Sequence, residues 1–267
     1  MNTSYAVRAH NAATASENKI HDDEVARSYG FEGGLVPGVT VYAYMTHPVV
    51  AALGRSWLER GTMAARFARP CYEGDDVTID ATVRDIDDER VVELTARRKP
   101  DEVVATATAS LPGRVQRPPP VDDYPVVPLP TQRVPATEEA LASLGDLGTW
   151  SATFRAEHAP AFLDEIGEDL ALYRDDGVAH PGYLLLSANT ILGANVRLGP
   201  WMHVGSEVIH FGVVTDGERV STRGRVAKLF DRKGHRFAEL DLLLVVDETQ
   251  PVQHVRHTAI YEIGNSG

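Results

Sequence analysis

The chain has 267 residues and a formal net charge of -12, which excludes nucleic-acid binding by general electrostatics. With 43% hydrophobic and 24% charged residues, the composition is globular and long enough for one large or two small domains with a buried core. Its one cysteine, Cys71, excludes an internal disulfide and a cysteine-rich metal site, and reads as a small buried or semi-buried filler. No apolar run reaches the ~18 residues of a membrane helix, and Met1-Asn-Thr-Ser-Tyr5 lacks the basic-then-apolar order of a signal peptide. These features predict a cytoplasmic protein that does not enter a membrane and needs neither metal nor cofactor.

In chain order, the partly alternating residues 5–11 predict a first strand. Asp22 or Asp23 then caps a short helix reaching about Ser28, because an acidic side chain there accepts first-turn N–H groups. Gly30, Gly33 and Gly34 break regularity. Pro37 suits a helix start, and residues 39–53 carry Val41, Tyr42, Met45, Val49, Ala52 and Leu53 around most of the circumference, so this helix should be buried on nearly all sides. Runs at 62–67, 77–86, 91–97 and 103–111 read as strands separated by turn residues such as Asp87-Asp88-Glu89 and Lys99-Pro100-Asp101. A strand, a helix and then an antiparallel meander imply an α+β unit, a sheet wrapped around one helix.

Prolines concentrate between 112 and 135, which favours extended conformation and marks an inter-domain connector. Beyond it the element order returns. Pro37-Gly38 corresponds to Pro181-Gly182, Phe67 to Phe211, Val83 to Val226, and Glu93-Leu94 to Glu239-Leu240. Strands are expected at 150–155, 204–211, 220–230, 237–246 and 254–263. The reading therefore divides the chain into a first unit (1–115), a linker (116–135) and a degenerate copy (136–267), whose sheets pair edge to edge and so cover two exposed edges.

Candidate chemistry gathers in Ser16-Glu17-Asn18-Lys19-Ile20-His21 and in the turn Leu35-Val36-Pro37-Gly38-Val39. A strand, an Asn-x-x-His cluster, a short helix, Gly-Phe, a Leu-Val-x-Gly turn and a buried helix together resemble the hotdog fold of the MaoC-like dehydratase and (R)-specific enoyl-CoA hydratase family, in its tandem, double-hotdog form. That family's motif runs Asp-x-Asn-Pro-(Ile/Leu)-His. Asn18, Ile20 and His21 match it, Ser16 stands at the aspartate and Lys19 at the proline, and the family's His-Gly before the helix is here Pro37-Gly38.

The resemblance implies a hydratase or dehydratase acting on a 2-enoyl or 3-hydroxyacyl thioester of coenzyme A or a carrier protein. Such chemistry needs a base for the water proton, an acid for the α-carbon and donors for the developing enolate oxygen. His21 is the expected proton-transfer group, Asn18 the orienting group, and Ser16 occupies the catalytic carboxylate's place without being able to ionise. Glu17, Val36, Pro37, Gly38 and Val39 are expected around the substrate, with the free N–H groups after Pro37 polarising the carbonyl. Two alternatives stay open: a non-catalytic acyl-thioester-binding or partner subunit, and a hotdog thioesterase. Two hotdogs in one chain already imitate the family's dimer, so a homodimer of the protomer is optional.

The remaining clusters carry less. Gly33 to Thr40 mimics a phosphate loop but has Val39 in place of the lysine. His254 and His257 fall on opposite faces of a strand, His203 and His210 have no third ligand, and His180-Pro181-Gly182 reads as a capped helix start.

Overall fold

A computed structural model describes residues 1–264. The first half contributes β1 (Asn2–Arg8), α1 (Asp23–Ser28), α2 (Gly38–Leu53), α3 (Arg55–Arg60), β2 (Thr62–Phe67), β3 (Asp76–Ile86), β4 (Glu89–Lys99) and β5 (Glu102–Leu111). The second adds β6 (Val134–Pro135), α4 (Glu138–Ser143), β7 (Trp150–Thr153), α5 (Ala159–Glu165), α6 (Ala171–Asp175), α7 (Pro181–Asn195), β8 (Val196–Arg197), β9 (Met202–His210), β10 (Arg219–Arg232), β11 (His235–Val246) and β12 (Gln250–Glu262). Ten strands form one antiparallel sheet in the order β1-β3-β4-β5-β2-β9-β12-β11-β10-β7. Each half thus repeats the same internal order, and the expected edge-to-edge pairing occurs between β2 and β9, from Thr62 opposite Ile209 to Arg66 opposite Gly205.

The two helices sit in the core because they have no polar face to show water. In α2, Val39, Tyr42, Met45, Val49 and Val50 are all buried and the helix lies against β3, β4 and β5. In α7, Leu185, Ala188, Ile191 and Leu192 are inaccessible to solvent. α2 and α7 also touch each other, so the two halves share one continuous hydrophobic core. Each large apolar side chain buried this way contributes about 1.5–3 kcal/mol, and a charge placed at Met45 would break the packing.

Strand registers locate the internal symmetry and correct two of the expected equivalences. Leu94 faces Ala107 and Ala107 faces Ala65; in the second half Leu240 faces His257 and His257 faces Ser206. Ala65 itself faces Ser206 across the junction, so the pseudo-two-fold axis passes between these two residues. Leu240 does correspond to Leu94, but Val226, which faces Leu240, corresponds to Ala81 rather than Val83. Phe67 corresponds to Val208 rather than Phe211. The physical reason is local: α3 occupies the helix-to-strand connection only in the first half, and a bulge between Val226 and Lys228 shifts the second-half hairpin.

Two further differences follow from side-chain hydrogen bonds. The first strand covers Asn2–Arg8 instead of 5–11, because at Asn11 the backbone N–H leaves the sheet for the Glu73 carboxylate at 2.5 Å. The proline-rich segment, expected as an extended connector, is fastened to the second half by side-chain and strand contacts. Tyr124 packs with Leu243 and Val245 and donates its hydroxyl to Asp241 at 3.1 Å, Arg133 donates to Glu17 and to the Gly193 carbonyl, and β6 pairs in parallel with β8. Among the described residues no helix is long and apolar enough to cross a membrane.

Candidate active site

A buried isoleucine and an asparagine cap set the first piece of the site. Ile20 is inaccessible to solvent and anchors a 3-10 turn at Lys19–His21, while Asn18 Oδ1 caps it by accepting the Ile20 N–H at 3.4 Å. The same Asn18 amide reaches the second half: its Oδ1 accepts the Trp201 N–H at 3.1 Å and its Nδ2 donates to the Trp201 carbonyl at 3.0 Å. His21 is held at both ring nitrogens. Nδ1–H donates to the Leu35 carbonyl at 2.6 Å, leaving Nε2 as the lone-pair nitrogen, 3.2 Å from Asn18 Nδ2. Burial lowers the imidazole pKa and the Leu35 bond opposes this only in part, so the ring is neutral near pH 7.

The glycine turn is required by contact. A Cβ on Gly34 would lie 2.2 Å from the His21 carbonyl oxygen, so only glycine lets residues 30–35 pass so close. Leu35 N–H donates to the Ile20 carbonyl at 3.1 Å and Val36 N–H to the Cys71 carbonyl at 2.7 Å, which aims the chain into α2. Pro37, at the cap, has no side-chain hydrogen bond. Among the described residues the N–H groups of Gly38 and Val39 have no protein acceptor, so they point the positive end of a sixteen-residue helix at whatever lies in front.

A cavity of about 1060 Å³ does lie there, between the halves, with His21, Val36, Gly38, Cys71, His203 and Ser206 in its wall. Its outer lining carries the exposed cations Arg66, Arg69, Arg232, Lys233 and Arg256 beside the carboxylates Glu207 and Glu239, so cations outnumber carboxylates there. Arg256 approaches Glu239 at 3.8 Å. Tyr29 and Phe31 cover one side, and that cover is tied down through Glu32, whose carboxylate accepts from the buried Arg98 guanidinium at 2.7 Å. The Cys71 thiol is buried as expected, and burial pushes it up to about 12, which removes it as a nucleophile.

The residues expected at the site divide accordingly. His21, Val36 and Gly38 line the cavity, and Asn18, which does not, meets His21 at Nε2. Ser16 does not line it; its hydroxyl donates to the Asn18 carbonyl at 3.2 Å. Glu17, expected at the substrate, is exposed and turned to the linker, paired with Arg133 at 2.8 Å. Val39 packs into the core and Pro37 is buried, and neither lines the cavity. Among the described residues the only carboxylates in the lining, Glu207 and Glu239, alternate with buried neighbours and so lie on the outer side of the sheet, as do Arg66 and Arg256.

Sequence periodicity misses three polar residues. His203 and Ser206 are three apart in a strand, which predicts opposite faces, but a bulge at residue 204 puts both on the helix-facing side. Ser206 Oγ lies 2.8 Å from His203 Nε2 and 3.0 Å from His257 Nδ1. His254, as expected, points to the other face, where its Nε2 bonds Asp241 at 2.6 Å.

The start of α7 is built differently. His180 caps it, its Nδ1 accepting the Gly182 N–H at 3.0 Å. Its Nε2 meets Thr46 Oγ1 at 3.3 Å and Glu168 Oε2 at 3.5 Å, and the other oxygen of Glu168 meets His47 Nδ1 at 2.9 Å. Burial alone would raise the Glu168 pKa, but the two histidines hold it down to about 2.

No sequence-family model and no curated protein matches the chain. Solved structures do. A protein from Chloroflexus aurantiacus J-10-fl named as a MaoC domain dehydratase superposes with TM-score 0.66 at 12% identity, over 99% of this chain and 95% of its own. A conserved hypothetical protein from Mycobacterium tuberculosis, described as having a double hotdog fold, gives 0.66 at 16% identity over 97% and 95%. A protein from Thermobifida fusca YX named as a thioesterase II gives 0.57 at 14% over 97% and 92%. Identities this low establish shared architecture: the chain is an α+β double hotdog.

Proposed function

We propose that the chain acts on an acyl thioester, hydrating a 2-enoyl thioester or dehydrating the 3-hydroxyacyl form. The observation that carries this is the meeting of His21 and the uncapped start of α2 in one cavity wall. The thioester carbonyl docks on the Gly38 and Val39 N–H groups, which stabilise the enolate-like oxygen as charge develops. When the Asn18 amide yields Nε2 to the attacking water, neutral His21 takes that water's proton there and returns one to the α-carbon, so one imidazole serves as base and then as acid. The cationic rim suits the phosphates of coenzyme A or of a carrier-protein arm.

A second reading has its own support. The Asn18 amide occupies the lone-pair nitrogen of His21 at 3.2 Å, and the lining carboxylates lie on the outer side of the sheet. Both features favour a subunit that binds acyl thioesters without turning them over. Crotonyl-CoA hydration, followed as loss of the enoyl absorbance, separates the readings. The enzyme reading expects turnover that falls about 100-fold or more in His21→Ala; binding without turnover selects the second. Because burial lowers the His21 pKa, turnover is complete above that pKa and is lost as pH falls through it.

A further inference from the structure

Three side chains that the hydration chemistry does not use meet beside the pseudo-two-fold axis. Ser206 in β9 faces His257 in β12, and the bulge at residue 204 turns His203 toward the same hydroxyl. The two imidazoles stack at 4.1 Å with 22° between their planes. The symmetry-related positions in the first half, Ala65 and Ala107, carry no polar group, so the cluster belongs to one half only.

Packing alone explains this poorly. One hydroxyl donates one proton, so one ring accepts it while the other ring donates to the oxygen. We assign the acceptor role to His203, which is in the shorter contact and lines the cavity. Each ring then has one nitrogen left over. His203 Nδ1 and His257 Nε2 are buried without a protein partner among the described residues, a cost that a purely structural pair would avoid. Burial holds the His203 pKa well below its ordinary value, so the ring rests neutral with a lone pair on one nitrogen. His203 also lies directly against the α2 start: a Cβ on Gly38 would sit 2.9 Å from its Nδ1.

We propose that Ser206 is an acyl acceptor and that the chain hydrolyses thioesters through an acyl-serine, a proposal that rests on the acyl-thioester reading of the cavity. Ser206 Oγ bonds to the thioester carbonyl carbon as its proton passes to His203 Nε2, and the Gly38 and Val39 N–H groups hold the oxyanion. The carbon–sulfur bond breaks and the leaving thiolate takes the proton from His203. Water, deprotonated by the same imidazole, then attacks the acyl-serine ester, and His203 returns that proton to Ser206 Oγ as the carbon–oxygen bond to serine breaks and the carboxylic acid is released. The net change is thioester plus water to acid plus thiol.

Butanoyl-CoA tests this, because a saturated chain cannot be hydrated. Expected are release of free thiol, read with a chromogenic thiol reagent, and a butanoyl adduct mapped by mass spectrometry to the peptide containing Ser206. Thiol release should fall to the enzyme-free rate in Ser206→Ala and about 100-fold or more in His203→Gln. Ser206→Cys keeps a nucleophile and should still form the adduct, which covers the case in which the alanine variant fails to fold. Butanoyl-CoA that binds without releasing thiol overturns the proposal while leaving the cavity reading intact, and so does wild-type release in a folded Ser206→Ala. Failure of both butanoyl-CoA binding and crotonyl-CoA hydration overturns the two together.

Discussion

At the start of α2, Pro37 brings no side chain to the first-turn amides, and the N–H groups of Gly38 and Val39 have no protein acceptor among the described residues. At the start of α7, Pro181 follows His180, whose ring accepts the Gly182 N–H and is itself backed by Thr46, Glu168 and His47. The same duplicated element thus appears once with its dipole end free and once with it capped. Capping the second start keeps the core sealed there; leaving the first uncapped sacrifices some helix stability for a place where an anionic oxygen is welcome.

The largest effect should come from undoing the capped start. Glu168→Ala leaves His180 and His47 without their acceptor in a buried place and should cost about 3–5 kcal/mol of unfolding free energy in urea titrations. The sign with pH is fixed by the lowered carboxyl pKa. Ionised Glu168 stabilises the fold fully above its ordinary 4.5, and that stabilisation disappears as pH falls toward about 2. The gap between wild type and Glu168→Gln should therefore narrow between about pH 7 and about pH 3. An unchanged gap would mean that the network does not depend on the charge.

Next in size is Asn18→Ala, which frees both polar groups of the Trp201 peptide and the support of His21. A loss of about 1–3 kcal/mol is expected in the same titration, together with slower crotonyl-CoA turnover. Stability lost with turnover untouched would confine Asn18 to joining the halves. The smallest change sharpens the comparison from the other side. Pro37→Ser gives α2 a hydroxyl that can accept a first-turn N–H, so stability should shift by ~1 kcal/mol or less while butanoyl-CoA binding, measured by calorimetry, weakens about threefold to tenfold. Unaltered binding would show that those amides do not meet the ligand.

Much of the fold is legible in the sequence because the duplication leaves two imprints of it. The apolar circumference of residues 39–53 already requires a sheet around α2, and β2 lies where its alternation places it, at Thr62–Phe67. Register is less legible, since α3 and the bulge beyond Val226 alter spacing without altering pattern. The site is half legible. His21 and Gly38 follow from the motif, whereas Glu17 is drawn away by Arg133, a partner more than a hundred positions later. His203 and Ser206 escape because a bulge changes which residues share a face, and nothing in the strand's residue types announces one. Glu168 and His180 come together only through tertiary packing on α2.

The central claim is that the imidazole of His21 moves protons for a thioester whose carbonyl rests on the uncapped helix start. Its most direct test is the crotonyl-CoA hydration rate of wild type and His21→Ala, compared on proteins with matched melting curves. The account predicts measurable wild-type turnover and a fall of about 100-fold or more in the variant. Equal rates in the two proteins, or no hydration by wild type at any pH above the lowered His21 pKa, would contradict it.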